Sequence, residues 1–229
     1  MDLLYPPVCP FCGEVQKPGK GICDSCREKL PIINEPRCMR CGKPVRYEEQ
    51  EYCRDCAGRD YAYEQGRSLW LHVPPVTQAI YQFKFHNKRY YADIFAAEMA
   101  RRYGGWIRAR EIGEILPVPL HPSRLRARGF NQACLLAEGL SRELQIPVGK
   151  NVVYRIRKTR PQRLLDDRGR ERNLKQAFGV SAQWKAPRNV LIIDDIYTTG
   201  STIHRISKVL KKAGAQKVYF LTISIGQGL

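Results

Sequence analysis

The segment Val190-Leu191-Ile192-Ile193-Asp194-Asp195-Ile196-Tyr197-Thr198-Thr199-Gly200-Ser201-Thr202 holds the residues best suited to chemistry. An apolar strand runs into two adjacent carboxylates, then into a hydroxyl-rich turn with a glycine, then into the start of a helix. Unpaired main-chain N–H groups and the helix macrodipole make such a helix start a ready anion site. Glycine lets the backbone approach a phosphate with no Cβ in the way. Asp194 and Asp195, a few residues ahead, supply acceptors for a vicinal diol. The spacing therefore suits a ribose 5-phosphate. The competing reading is an ordinary helix N-cap at Thr199 or Ser201 with incidental acids.

A second constellation lies in the first quarter of the chain. Eight of the nine cysteines form four Cys-x-x-Cys pairs, Cys9/Cys12, Cys23/Cys26, Cys38/Cys41 and Cys53/Cys56. A two-residue gap lets both sulfurs of a tight turn face one ion, and two turns complete a tetrahedral four-thiolate zinc site. Gly13 and Gly42 follow equivalent cysteines 29 residues apart, which suggests a duplicated unit. The favoured arrangement is two sequential ribbons, Cys9, Cys12, Cys23 and Cys26 on one ion and Cys38, Cys41, Cys53 and Cys56 on the other. An interleaved pairing and a disulfide framework remain as alternatives. Closed four-thiolate sites have no open position for substrate, so the two Zn2+ are read as structural. Cys134 falls on the apolar stripe of a later helix and reads as a packing residue. His204 reads as a solvated helix histidine.

The elements that must position these residues divide the chain in two. Residues 1–60 carry ten basic and ten acidic side chains, so the net +17 of the 229-residue chain belongs to 61–229. The second segment alternates strand and helix. Strands are expected at 67–74, 113–119, 151–156, 188–193 and 216–224, and helices at 76–86, 89–103, 130–144 and 201–213. Gly104-Gly105 is expected to stop the second helix, and a basic loop with a short helix to follow 156. This pattern predicts a doubly wound, mostly parallel α/β sheet preceded by a small zinc-ribbon domain. No run approaches the roughly 20 apolar residues of a membrane span, and no secretory signal is recognisable at Met1. A cytoplasmic location is expected, with a peripheral position at the inner membrane face left open by the positive charge.

The charge excess points to a polyanionic partner, an anionic membrane face or a phosphate-rich ligand, with a solvated basic surface as the competing reading. Between Arg155 and Lys175 lie nine basic residues opposed only by Asp166, Asp167 and Glu171. A nucleic acid would satisfy them, with an affinity that falls steeply with salt. Tyr81, Phe83, Phe85, Tyr90 and Tyr91 are either core residues of two helices or a stacking surface for bases.

The 190–202 segment resembles the phosphoribosyl pyrophosphate (PRPP) motif of type I phosphoribosyltransferases. Pro117-Val118-Pro119-Leu120, Arg124 to Ala133, Thr159, Gln162, Leu165, Arg170, Asn173, Ala177 and Phe178, taken with the Cys pairs, extend the resemblance to the ComF family of competence proteins. The resemblance implies a sheet of the type I phosphoribosyltransferase kind. It implies that Asp194 and Asp195 hold the ribose hydroxyls, with Mg2+ accompanying PRPP. Thr198, Thr199, Gly200, Ser201 and Thr202 would take the 5-phosphate, and Arg124, Arg128 and Lys158 the pyrophosphate. Lys158–Arg172 would form a loop that closes over substrate. It further implies a role in taking up transforming single-stranded DNA, with a competence helicase-like ATPase and a recombination mediator as partners. The alternative within the same resemblance is a phosphoribosyltransferase with an unidentified acceptor and no direct DNA role. Metal analysis of purified protein is expected to return about two zinc per chain; a value of zero would overturn the ribbons.

Overall fold

The structure is a computed structural model that describes residues 6–17, 19–156 and 177–227. The expectations placed on Lys158, on the Lys158–Arg172 loop and on the short helix after 156 lie outside these residues. At the centre is a four-stranded parallel sheet in the order β1 (Gln65–Leu71), β6 (Lys217–Ile225), β5 (Asn189–Tyr197), β2 (Glu114–Pro117). Continuous apolar runs such as Val190–Ile193 suit strands covered on both faces. Helices α2 (Val76–Phe85), α3 (Tyr91–Arg108) and α5 (Gln132–Leu144) contribute to the core on one face. On the other face lie α6 (Ser201–Lys212) and a small antiparallel pair, β3 (Val153–Arg155) with β4 (Phe178–Val180). This is the expected fold class: a parallel α/β sheet with helices on both sides, led by two cysteine modules.

Several element boundaries differ from the sequence reading. Gly104-Gly105 does not stop α3, which continues to Arg108 because Ile107 keeps its apolar stripe on the core. Gly104 is buried, and a Cβ there would lie 3.4 Å from Leu144 on α5. The segment that carries Arg124 and Arg128, given no element by the sequence, forms a short helix, α4 (Pro122–Arg128), with Pro122 in its first turn and Gly129 as its left-handed C-cap at φ 78°. Asn131 caps α5, whose buried face centres on Ala133, Leu136, Ala137 and Leu140. Cys134 is therefore only half-buried. β5 does not end before the acids but pairs with β6 as far as Tyr197.

The N-terminal segment closes the exposed edge of β1. The Gly66 and Leu71 N–H groups donate to the Arg40 and Pro31 carbonyls at 2.7 and 2.9 Å, and Ile32 bridges Trp70. An uncovered parallel edge invites pairing with another chain, so this cover matters. The first cysteine module packs on the α3 face, where Phe11 meets Trp70 edge-on at 5.4 Å. The second packs on the α6 face. A short helix, α1 (Asp24–Lys29), anchors the first module through Arg27 Nη1 to Glu98 Oε1 at 2.5 Å. Gly66 is where this assembly is tightest, because a Cβ there would lie 2.0 Å from the Phe220 ring. Gly66→Ala is expected to cost about 2 kcal/mol or more, read as a lower urea midpoint.

Candidate functional site

The two cysteine modules resolve the pairing. The Sγ atoms of Cys9, Cys12, Cys23 and Cys26 cluster within 4.8 Å of one another, as do those of Cys38, Cys41, Cys53 and Cys56. Cys12 and Cys23 sulfurs are 3.7 Å apart, and Cys41 and Cys53 sulfurs 3.6 Å. Four thiolates about 2.3 Å from one zinc stand about 3.8 Å apart, whereas a disulfide needs about 2.05 Å. The pairing is sequential, and the donor set fits structural Zn2+. The duplication extends to the backbone. Gly13 and Gly42 share φ 79° and donate to the Cys9 and Cys38 carbonyls at 2.9 and 3.0 Å. The bridges Val8–Val15 and Arg37–Pro44 repeat at the same 29-residue offset.

The second site lies at the carboxyl ends of β2 and β5. The chain leaves β2 toward α5 on one face and leaves β5 into α6 on the other. A crevice opens where neighbouring connections diverge in this way. β2 stops at Pro117, opposite Ile193, so beyond that point β5 has no partner on this side. Asp194 and Asp195 follow at once.

The two acids are not equivalent. Alternation along β5 sends their side chains to opposite faces. Asp195 is buried on the helical side, where Lys84 Nζ reaches Oδ1 at 2.9 Å and Gln132 Nε2 donates to Oδ2 at 2.5 Å. Arg128 Nη1 in turn donates to Gln132 Oε1. Asp194 is partly exposed and accepts the Asp195 N–H at 2.9 Å. Burial, and then the charge of Asp195, push the Asp194 carboxyl up to about 7. Lys84 and Arg155 pull it the other way. Arg155 on β3 and Arg124 on α4 weigh on each other electrostatically, as do Arg128 and Arg124. Three guanidiniums thus converge around two carboxylates.

The phosphate-type turn follows. Gly200 sits at φ 76° as the N-cap of α6, and no side chain caps that helix. Thr198, Thr199 and Thr202 are exposed, Ser201 is partly so, and the Thr199 and Ser201 hydroxyls lie 2.9 Å apart. The first-turn N–H groups of such a helix lack intrahelical partners. A side chain at Gly200 has no room, because its Cβ would meet Tyr197 Oη at 2.4 Å.

The Arg128-Gly129-Phe130-Asn131-Gln132 stretch supports this crevice residue by residue. Arg128 steadies Gln132, and Gly129 turns the chain. Phe130 packs on Phe83 at 6.0 Å. Asn131 donates to the Val118 carbonyl at 2.9 Å and accepts from Ala133 N at 3.0 Å. Gln132 holds Asp195.

Sequence reasoning missed Lys84, Gln132 and Arg155 as site residues. Lys84 had a signal: it falls four residues after Ile80, at the edge of the buried stripe of α2. His204 is not a solvated histidine. Its Nδ1 accepts the Ala62 N–H at 2.9 Å, and burial lowers its pKa, which suits a neutral acceptor. Tyr61 Oη donates to the Thr199 carbonyl at 2.9 Å, and the Tyr63 and Tyr197 hydroxyls bond at 2.6 Å. The connector from the second zinc module is thereby tied to the phosphate-type turn. Burial pushes the Cys134 thiol up to about 11, in keeping with a packing role.

This combination defines a class: a double zinc ribbon joined to an α/β domain with an anion-ready crevice. A model of the double zinc ribbon domain matches residues 1–57. Over 217 residues the chain is 34% identical to competence protein F of Haemophilus influenzae, covering 92% of this chain and 93% of the relative. It is 30% identical to competence protein ComFC of Bacillus subtilis over 205 residues, 86% of this chain and 81% of the relative. The chain belongs to the ComF family of competence proteins. Among solved structures, the adenine phosphoribosyltransferase of Trypanosoma brucei is similar at TM-score 0.40 and 13% identity, covering 62% of this chain and 67% of that one. No helix among the described residues is long and apolar enough to cross a membrane.

The raised Asp194 pKa has a definite sign in stability. The fold favours the protonated acid, so its contribution is complete below about pH 4 and is lost as pH rises through about 7. Asp194→Asn removes that loss. The variant is expected to be more stable than the parent at pH 8 by on the order of 1–4 kcal/mol, with a smaller gain at pH 5. Thermal melts at both values check this.

Proposed function

We propose that this chain is a competence factor that handles transforming single-stranded DNA and carries a PRPP site of the phosphoribosyltransferase type. We assign the zinc ribbons to residues 1–60 and the PRPP site to 61–229. The observation that carries the reading is the β5–α6 connection: a half-exposed carboxylate, a hydroxyl-rich turn with a left-handed glycine, and an uncapped helix start. The 5-phosphate sits against Thr198–Thr202, where the N–H groups and macrodipole favour it. Asp194 accepts the ribose hydroxyls. Asp195, held by Lys84 and Gln132, orients the strand end beneath it. Arg124 and Arg128 face the pyrophosphate, as guanidinium forks suit phosphate oxygens, and Lys158 joins them in this assignment. Mg2+ fits the site, because it needs only one or two carboxylates when substrate phosphates complete its shell, and Asp194 supplies one. When bound, it would neutralise charge on the leaving pyrophosphate.

The DNA half of the reading rests on membership among competence proteins and on the cationic surplus of residues 61–229. A helicase-like ATPase and a single-strand recombination mediator are the partners this role calls for. The position this role calls for is cytoplasmic, with a peripheral place at the inner membrane face left open.

Calorimetry with PRPP and Mg2+ tests the site. The parent is expected to bind, and Asp194→Ala or Thr198→Ala to weaken binding tenfold or more. A parent that gives no binding heat and no ligand-induced rise in melting temperature would remove the PRPP assignment.

A further inference from the structure

The sequence left the aromatic residues of α2 and its C-terminal turn with two readings, and the structure separates them. Phe83 and Tyr91 are core residues, but Tyr81 and Phe85 are 56% and 60% exposed. They stand four residues apart on α2, with ring centroids 5.0 Å from each other. Two adjacent rings open to solvent on one helical face are not needed by the core beneath them.

One cation touches this ring pair, and others lie on the adjoining turn and helix. The Arg128 guanidinium lies 5.0 Å over the Phe85 ring. Arg89 lies 5.0 Å over Phe130, and its Nη2 is 3.3 Å from where a Gly129 Cβ would stand. The end of α2, the turn after it and the end of α4 therefore meet at one place. Residues 76–92 and 115–137 contain no Asp or Glu, yet they hold Lys84, Lys88, Arg89, Arg124, Arg126 and Arg128. Lys84 and Arg128 are engaged with Asp195 and Gln132. Arg89, Arg124 and Arg126 are exposed, and Lys88 is partly so.

We propose that Tyr81 and Phe85, with Lys88 and Arg89 on the turn after α2 and Arg124 and Arg126 on α4, form a stacking platform for the bases of single-stranded DNA at the rim of the phosphosugar crevice. The partner follows from the chemistry. Aromatic faces interleaved with cations match a strand whose bases are unpaired and whose backbone is anionic. In a duplex the base faces are already covered by their neighbours. An acidic peptide would satisfy the cations but give the rings no aromatic partner. The platform also connects to the crevice through Phe85, Arg128, Gln132 and Asp195, so a strand seated here passes beside the PRPP site. This inference deepens the DNA half of the proposed function and does not depend on the PRPP half.

Anisotropy titrations with a labelled oligothymidine of about 20 nucleotides, at two salt concentrations, test it. Tyr81→Ala with Phe85→Ala is expected to weaken binding about tenfold or more with an unchanged salt slope, because no cation is lost. Tyr81→Trp is expected to keep parental affinity, whereas Tyr81→Leu does not. Lys88→Ala with Arg126→Ala is expected to flatten the slope by about 1.4. Melts of each variant should match the parent, since both rings are exposed, and PRPP binding by Tyr81→Ala should be unchanged. A double ring variant that binds like the parent, or a Tyr81→Leu that equals Tyr81→Trp, would overturn the platform. So would thymidine monophosphate competing as well as the oligomer, which would mark a single-nucleotide pocket. A parent that fails to bind the oligomer even at low salt would instead overturn the DNA reading itself.

Discussion

The crevice depends on one buried ion pair. Asp195 lies inside the domain, and a lone carboxylate there would cost several kcal/mol of desolvation. Lys84 from α2 and Gln132 from α5 offset that cost by occupying both oxygens. The requirement locks three elements together, because the helices must approach β5 closely enough for those bonds to form. Removing one partner strands the other charge, so the pair specifies geometry more than it adds stability. Its consequence is functional: with Asp195 committed, Asp194 is left as the acid that faces outward.

The zinc modules act on the same crevice from the opposite side of the sheet. They straddle the β1 edge, one module on each face, so the edge is paired and both cores are extended at once. The connector after the second module then reaches the phosphate-type turn through Tyr61, Ala62 and Tyr63. Tyr61 Oη also lies 3.3 Å from the Asp55 carbonyl, next to the ligand Cys56. A hydroxyl has one proton, and the shorter contact to Thr199 takes it. The Thr198–Thr202 turn is thus braced by the cysteine-bearing segment rather than by the sheet alone.

The features readable from sequence were those with strong local signals. Cysteine spacing announced the metal sites because ligand geometry tolerates few gaps. The Asp194–Thr202 run announced the turn because hydroxyls, glycine and acids occur there in an order that strand and cap rules do not require. What stayed hidden depended on contacts distant in sequence. Lys84 showed locally only its place at the edge of the α2 stripe, because its partner Asp195 is far away in sequence. His204 looked solvated because its partner, the Ala62 N–H, is 142 residues away. Gly104-Gly105 looked like a helix stop because propensity disfavours glycine, but burial of Tyr103 and Ile107 on either side carries α3 through it. The Asp194-Asp195 dipeptide looked like one clamp, and only the strand's continuation to Tyr197 separates its two faces.

That separation bears on what the crevice can do. A clamp of two ionised acids on one diol would repel itself and bind Mg2+ strongly without substrate. Here one acid is neutralised by Lys84, and the other is held near neutrality by burial and by its neighbour's charge. Arg124, Arg128 and Arg155 add positive potential on the same side. The free crevice therefore favours an anion over a bare cation. The proposed DNA platform would then adjoin the proposed phosphosugar site under one positive field, and the ring pair on α2 and the glycine turn at α6 would divide the two ligands by shape.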